Sequence, residues 1–107
     1  MFKVVAEPQF THTVKVRVPV DGGHEDQSFK ARFRVIDTDE VAEIELKEGR
    51  KAAVKRILVS MEELVDSEGN PVSYSDALRD QLVQQPYVEI ALYRTYLEAV
   101  TGAKTGN

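Results

Sequence analysis

Two stretches of strict period-two alternation predict an antiparallel β-hairpin in the first third of the chain. Successive side chains of a strand point to opposite faces, so alternation of apolar and polar residues indicates strands with one buried face. The apolar positions of the two stretches are Val14, Val16, Val18, Val20, Phe29, Ala31, Phe33 and Val35. An isolated hairpin is marginally stable in water, so we expect the rest of the chain to cover this apolar face.

The segment Asp21-Gly22-Gly23-His24-Glu25-Asp26 separates the two stretches and predicts the connecting loop, because two glycines supply the positive φ angles that such loops need. Pairing Val20 with Gln27 closes this loop. The same pairing sets Val14 opposite Phe33. A slip by one residue would move charged side chains to the buried face, so the parity of the register is well specified.

The opposite face of the predicted hairpin is basic. Its cationic residues are Lys15, Arg17, Lys30, Arg32 and Arg34. The expected register sets Arg17 opposite Lys30 and Lys15 opposite Arg32, which would cost up to about 1 kcal/mol per pair of like charges. We therefore expect acidic groups to cover this face.

Apolar residues at helical spacing dominate after residue 36. A first helix is predicted from Asp37 or Thr38, with Val41, Ile44 and Leu46 as its buried stripe and an end at Gly49. A second helical run is predicted because its apolar residues lie on one helix face; they are Val54, Ile57, Leu58 and Met61.

Two further helices are predicted near the end of the chain. The segment Asp66-Ser67-Glu68-Gly69-Asn70-Pro71 has the composition of a turn, Ser75 is positioned to cap the third helix, and Pro86 is expected to end it. The last helix is predicted from about Tyr87 to Ala99 or slightly beyond, with Gly102 as its stop. Its richest apolar stripe is Val88, Ala91, Leu92, Tyr96 and Ala99, and further apolar residues cover most of its circumference, which predicts a central core element or an interface.

These elements predict one α+β domain over residues 1–107. Residues 2–36 form the hairpin region, in which Phe2-Lys3-Val4-Val5 is a candidate third strand, and residues 38–102 form a layer of three to four helices packed on it. We expect a disordered tail at residues 103–107.

The composition is that of an ordinary soluble protein. Of its 107 residues 42% are hydrophobic and 30% are charged, the net charge is −4, and there is no cysteine. The absence of cysteine excludes disulfides, thiolate metal sites and a cysteine nucleophile. We find neither a run of about 20 apolar residues nor a signal peptide, and expect a cytoplasmic protein without a membrane partner.

The sequence contains no recognisable catalytic constellation, cofactor motif or metal site, so we expect a protein that is not an enzyme and needs no cofactor. There is no glycine-rich phosphate loop and no nucleophile elbow. His12 and His24 are interpreted as ordinary polar residues, and Asp66, Glu68 and Asn70 as turn residues rather than a calcium loop. The acids at Asp37, Asp39, Glu40 and Glu43 are commoner at helix starts than in cation sites.

Three interpretations of the basic face remain open. It can be a solvated sheet surface, a contact for an acidic protein partner, or a nucleic-acid platform. The third is disfavoured because no aromatic residue lies on the same strand face as the cations for base stacking, and because the chain is acidic as a whole.

Short segments distributed over nearly the whole chain resemble a family of small tail assembly chaperones of long-tailed bacteriophages and prophages. They are Met1-Phe2-Lys3-Val4-Val5, Pro8-x-Phe10-Thr11, the Val-Pro-Val and Gly-Gly hairpin, Phe33-Arg34, Asp39-Glu40, Pro71-Val72-Ser73-Tyr74-Ser75, Tyr96-Leu97-Glu98-Ala99, Thr101-Gly102-Ala103-Lys104 and Gly106-Asn107. None of these segments is a catalytic signature.

The resemblance implies a non-catalytic function in tail assembly. Members of the family bind the tape measure protein, keep it soluble and recruit tail tube subunits in the host cytoplasm, and they are absent from the mature virion. For this chain, that implies apolar surface on the last helices that covers apolar helical segments of the client. From the apolar pattern of the last helix we expect Tyr93, Leu97 and Val100 to supply this surface, while the basic face adds electrostatic attraction and stabilises a homo-oligomer. The alternative is a small nucleic-acid-binding or regulatory protein that uses the basic face.

Overall fold

The computed structural model describes residues 1–102. Its elements in chain order are β1 (Gln9–Val20), β2 (Gly23–Arg34), α1 (Thr38–Glu48), α2 (Arg50–Ile57), β3 (Leu58–Glu62), β4 (Leu64–Val65), β5 (Pro71–Val72), α3 (Asp76–Leu82) and α4 (Pro86–Thr101). The predicted α+β architecture is confirmed, with an antiparallel sheet of order β1-β2-β3 and four helices that follow the hairpin. The predicted tail at 103–107 lies outside the described residues.

The hairpin has the predicted faces but a different register. Val20 pairs with Gly23 rather than Gln27, so Asp21 and Gly22 alone form the turn, and Val14 faces Phe29 instead of Phe33. This shift of four positions is even, which keeps every apolar side chain on the predicted face. Gly22 adopts φ +78°, the positive φ angle that the third position of a type II turn requires.

The new register removes the predicted repulsion between like charges. Arg17 faces Asp26, Lys15 faces Ser28, and Arg32 faces Thr11. The expected pairs Arg17–Lys30 and Lys15–Arg32 are therefore wrong. Cationic residues on one strand meet acidic or neutral residues on the other.

The third strand of the sheet is β3, not the candidate segment near residue 2. Residues 1–8 form neither helix nor strand, whereas β3 pairs with β2 from Lys30 to Phe33 across a register shift between Arg32 and Phe33. The predicted second helix accordingly ends at Ile57. Leu58 and Met61 are buried as the helical stripe implied, but they lie on a strand.

The core lies between the apolar face of the sheet and the helices. α4 packs against β1, and α2 contacts both α1 and α4. The largest fully buried side chains are Phe33, Ile57, Leu92, Val14, Val54 and Val83. Burying each such side chain contributes about 1.5–3 kcal/mol, so this layer supplies the cover that the hairpin needs.

The observed helix ends match the predicted ends at some positions and differ from them at others. The Ser75 hydroxyl accepts a hydrogen bond from the Leu78 N–H, as predicted, and α4 ends at Gly102 with φ +70°. Pro86 does not end α3 but begins α4, where its fixed φ angle is favourable. Asp37 makes no side-chain cap, and Leu46 is 86% exposed rather than buried.

Candidate functional site

The cationic residues of the hairpin lie mostly on the exposed face of the sheet, where nearby polar groups engage most of them. Arg17 lies 3.9 Å from the Asp26 carboxylate, and Lys30 lies 3.3 Å from that of Glu63. Arg32 donates hydrogen bonds to Gln9 and to the Thr11 hydroxyl. The side chains of both ion pairs are at least half exposed, so each contributes little to stability. The basic face is thus a mixed surface rather than a continuous positive patch.

Arg34 is separated from the other four cations by its partial burial. Its Nε atom is buried and donates no hydrogen bond within residues 1–102. Burial raises the pKa of the nearby Tyr74 above 10.0, and the positive charge of Arg34 opposes this shift only weakly. Arg34 is therefore the least accessible of the five cations, and the other four are exposed.

A shallow groove of about 910 Å³ runs between the hairpin and the second half of α4. Lys15 and Arg17 line one side of it, and Arg94 and Glu98 lie on the other. Asp26 also lines the groove, so the local charge is only slightly positive. This groove brings two residues of the predicted basic face next to α4.

The three predicted contact residues of α4 differ in their exposure. Val100 is 38% exposed, whereas Tyr93 and Leu97 are half-buried and pack against the core. Burial and a hydrogen bond to the Glu45 carboxylate raise the pKa of Tyr93 to about 12. Tyr93 is therefore engaged with α1, and the α4 surface offers mainly Val100 and Ile90, which is 39% exposed.

Sequence reasoning missed that the largest exposed apolar side chains lie outside α4. Four of them precede the hairpin and are Met1, Phe2, Val4 and Val5. Val20 at the hairpin tip and Val65 on β4 are 47% and 63% exposed. The lengths of the elements indicate that the hairpin tip is exposed. A 12-residue strand spans about 40 Å, while a 16-residue helix spans about 24 Å. The hairpin therefore extends beyond the helices that cover it.

A second groove, of about 220 Å³, lies between the hairpin, β4 and the junction of α3 with α4. Its floor and walls are mainly apolar and include Val16, Val18, Phe29, Leu64, Val65, Leu82, Tyr87 and Val88. Glu63, Gln27 and Gln85 supply the polar groups of its rim. We call it the apolar groove.

The possible metal-ligating side chains do not cluster in the described part of the chain. No group of three or more His, Asp or Glu side chains is close enough to hold a metal ion within residues 1–102. His12 bonds through Nδ1 to the Thr11 carbonyl, and His24 pairs with Pro19 near the hairpin tip, away from His12. None of the helices in residues 1–102 is long and apolar enough to cross a bilayer.

No family model, curated protein or solved structure matches the chain.

Proposed function

We propose that this chain is a non-catalytic tail assembly chaperone of a long-tailed bacteriophage or prophage. In this role it binds the tape measure protein, keeps that long chain soluble in the host cytoplasm, helps to recruit tail tube protein, and leaves before the virion is complete. The proposal starts from the resemblance of short segments along nearly the whole sequence. The observation that supports it in the structure is the amount of apolar surface left uncovered.

A protein that keeps a helix-rich client soluble needs apolar surface for the client and polar surface around it. Ile90 and Val100 supply exposed apolar contacts on α4, next to the half-buried Leu97. The groove between the hairpin and α4 adds Lys15 and Arg17 beside a different side of the helix, which Arg94 and Glu98 line. Apolar side chains would bind client segments, and the cations would speed the encounter with acidic ones.

Co-expression with a tape measure protein from a long-tailed phage, taken as the client, tests the proposal. We expect the client to stay in the soluble fraction only when the chain is present. Ile90→Asp combined with Val100→Asp should weaken capture about tenfold or more, because both changes place charge in the contact. Leu46→Asp is the matched control, since Leu46 is an exposed apolar residue on α1.

The nucleic-acid alternative predicts the opposite pattern. If the client remains insoluble and unbound while the chain shifts DNA or RNA at physiological salt, the chaperone proposal fails. Lys15→Ala with Arg17→Ala would then abolish the shift, whereas in a chaperone it should weaken client capture mainly at low salt.

A further inference from the structure

Residues 1–7, which we call the arm, leave apolar side chains in solvent without any cover. Phe2 and Val4 are 91% and 90% exposed, and Val5 is 59% exposed. The base of the arm is fixed, because the carbonyl of Pro8, the next residue, accepts a hydrogen bond from the Val35 N–H at 2.8 Å. The arm thus has a fixed base and exposed apolar side chains. Such a segment is suited to bind an apolar surface other than the core of its own domain.

The apolar groove has the size and chemistry to receive this segment. Its volume is about 220 Å³. A cavity of about 150 Å³ with apolar walls suffices to hold benzene, so the groove can take the phenyl ring of Phe2 together with a smaller side chain such as Val4. In an extended arm Phe2 and Val4 point to one face, and Lys3 points to the other.

The rim of the groove complements the charge of the arm. Glu63 lines the groove with 60% of its side chain exposed, and its carboxylate lies 3.3 Å from Lys30. An exposed carboxylate of this kind can accept a second cation beside Lys30. Glu25 faces Val18 across the hairpin beside the groove. Lys3 is the only cationic side chain of the arm. An arm that places Phe2 in the groove would bring Lys3 to this acidic side.

The arm of a given chain is too short to fill its own groove. Phe2 lies six residues from Pro8, so even a fully extended arm reaches about 22 Å. Val16 and Val18 lie eight and ten residues from Pro8 along β1, which is about 26–33 Å. The arm would also have to reverse its direction at the base of the hairpin. An arm that fills the groove must therefore come from another molecule.

From the exposed arm, the matching groove and the insufficient reach, we infer that the arm of one copy binds in the apolar groove of a second copy. Reciprocal exchange places two arms in two grooves and closes a twofold dimer, whereas one-way exchange would build a ring or a filament. The exchange depends only on the arm and the groove, so it holds whether or not the chain binds a tape measure protein.

The first experiment measures mass by sedimentation equilibrium from about 1 μM to about 1 mM protein. We expect concentration-dependent association of the unchanged chain. Phe2→Ser with Val4→Ser should raise the dissociation constant about tenfold or more, and Val65→Asp in the groove wall should do the same. Leu46→Ser, at an exposed apolar position of α1, should leave the constant unchanged. Circular dichroism establishes that each variant is folded.

The second experiment mixes the arm variant with the groove variant. Each lacks one half of the contact, so each alone should be monomeric where the unchanged chain associates, and the equimolar mixture should recover one arm–groove contact. Isotope-filtered NMR on a mixed-label sample should show contacts between Phe2 of one copy and Val65 of the other. A monomer at every concentration, association that ignores the arm variant, or contacts within a single copy would each overturn the inference.

Discussion

At the scale of single residues, Tyr96 joins the helical layer to the end of the sheet. Its ring is 3% exposed and lies 5.8 Å from Phe33 and 6.4 Å from Phe10, measured between ring centroids. Its hydroxyl accepts a hydrogen bond from the buried Ile36 N–H at 3.2 Å. One side chain thus supplies both an aromatic contact and the only hydrogen bond shown for that N–H within residues 1–102.

Replacing Tyr96 by Phe separates these two contributions. The ring contacts remain, but the Ile36 N–H loses its acceptor, and an unsatisfied buried donor costs about 1–3 kcal/mol. We expect the free energy of unfolding, measured by urea denaturation, to fall by that amount. Tyr87→Phe is the control because Tyr87 lines the apolar groove, away from the Ile36 N–H. Equal stability of Tyr96→Phe and the unchanged chain would contradict the assigned role.

Asp66 organises the turn between β4 and β5. Its carboxylate accepts hydrogen bonds from the backbone N–H groups of Asn70 and Glu68, each at 2.9 Å, and these bonds lower the pKa of Asp66 below 3.8. A lowered pKa in the folded state means that the ionised form stabilises the fold. This stabilisation is fully present above the unfolded pKa and is lost as the pH falls through the folded pKa.

Asp66→Asn tests the pH dependence because asparagine keeps an acceptor oxygen but does not titrate. We expect the variant to be less stable than the unchanged chain from about pH 7 to about pH 5, with a constant difference. Below about pH 4 the difference should shrink, since the unchanged chain then loses its charge as well. Urea denaturation midpoints at a series of pH values measure this. A difference that stays constant down to about pH 2 would rule out the carboxylate charge as the cause.

At the scale of elements, the tight turn determines which residues face each other along the hairpin. Only Asp21 and Gly22 connect the strands, and the register follows from that length. The consequence reaches the far end of the strands, where Phe10 faces Phe33 and joins the aromatic cluster around Tyr96. A six-residue loop would have displaced this pair.

Gly22→Ala is predicted to destabilise the hairpin, while Gly23→Ala is not. Neither added Cβ atom would meet another atom within 4 Å, so packing is the same in both variants. Of these two glycines only Gly22 has a positive φ angle, a conformation that costs alanine about 1–2 kcal/mol. Thermal or urea denaturation of the two variants gives a matched comparison. Equal stability would mean that the turn changes its conformation when glycine is absent.

The same elements explain which parts of the fold the sequence could predict. Period-two alternation is insensitive to even shifts, so the buried face through Val14, Phe29 and Phe33 was predictable although the register was not. The spacing of Ile57, Leu58 and Met61 fits a helix face. Ile57 does end α2, but Leu58 and Met61 pair with the free edge of β2 as part of β3. Tertiary pairing decided between two local structures that the pattern permits equally.

The candidate site was predictable in part for a related reason. The sequence identified α4 as apolar on most of its surface but could not show which side remains open. Tyr93 is held against α1 through Glu45, and Leu97 packs against the core, which leaves Val100 and Ile90. Exposure of the arm was equally unpredictable, because Phe2-Lys3-Val4-Val5 could have paired as a strand.

At the scale of the whole molecule, the sheet is unevenly supported along its length. At Lys30 to Phe33 the strand β2 has a neighbour on both sides, and the helices cover its apolar face. Toward the turn only β1 and β2 remain, and Val18 and Val20 are partly or largely exposed. The longest dimension of the molecule, 45 Å, is close to the length of the hairpin.

This uneven support predicts a gradient of local stability that native-state hydrogen exchange can measure. Amides that open only with global unfolding should cluster around Ala31 and Phe33, because three strands and the core hold them. Amides near Val18 and Glu25 should exchange at least about tenfold faster, through opening of the tip alone.

The arm variant Phe2→Ser with Val4→Ser, which should be monomeric, shows the gradient of exchange rates within a single copy. In the unchanged chain, rising concentration should slow exchange at Val18 and Val65 but not at Leu46, since only the apolar groove becomes covered. Uniform protection along the hairpin of the arm variant would show that the tip is supported by contacts within one copy, and would remove the physical reason for the groove to bind a second.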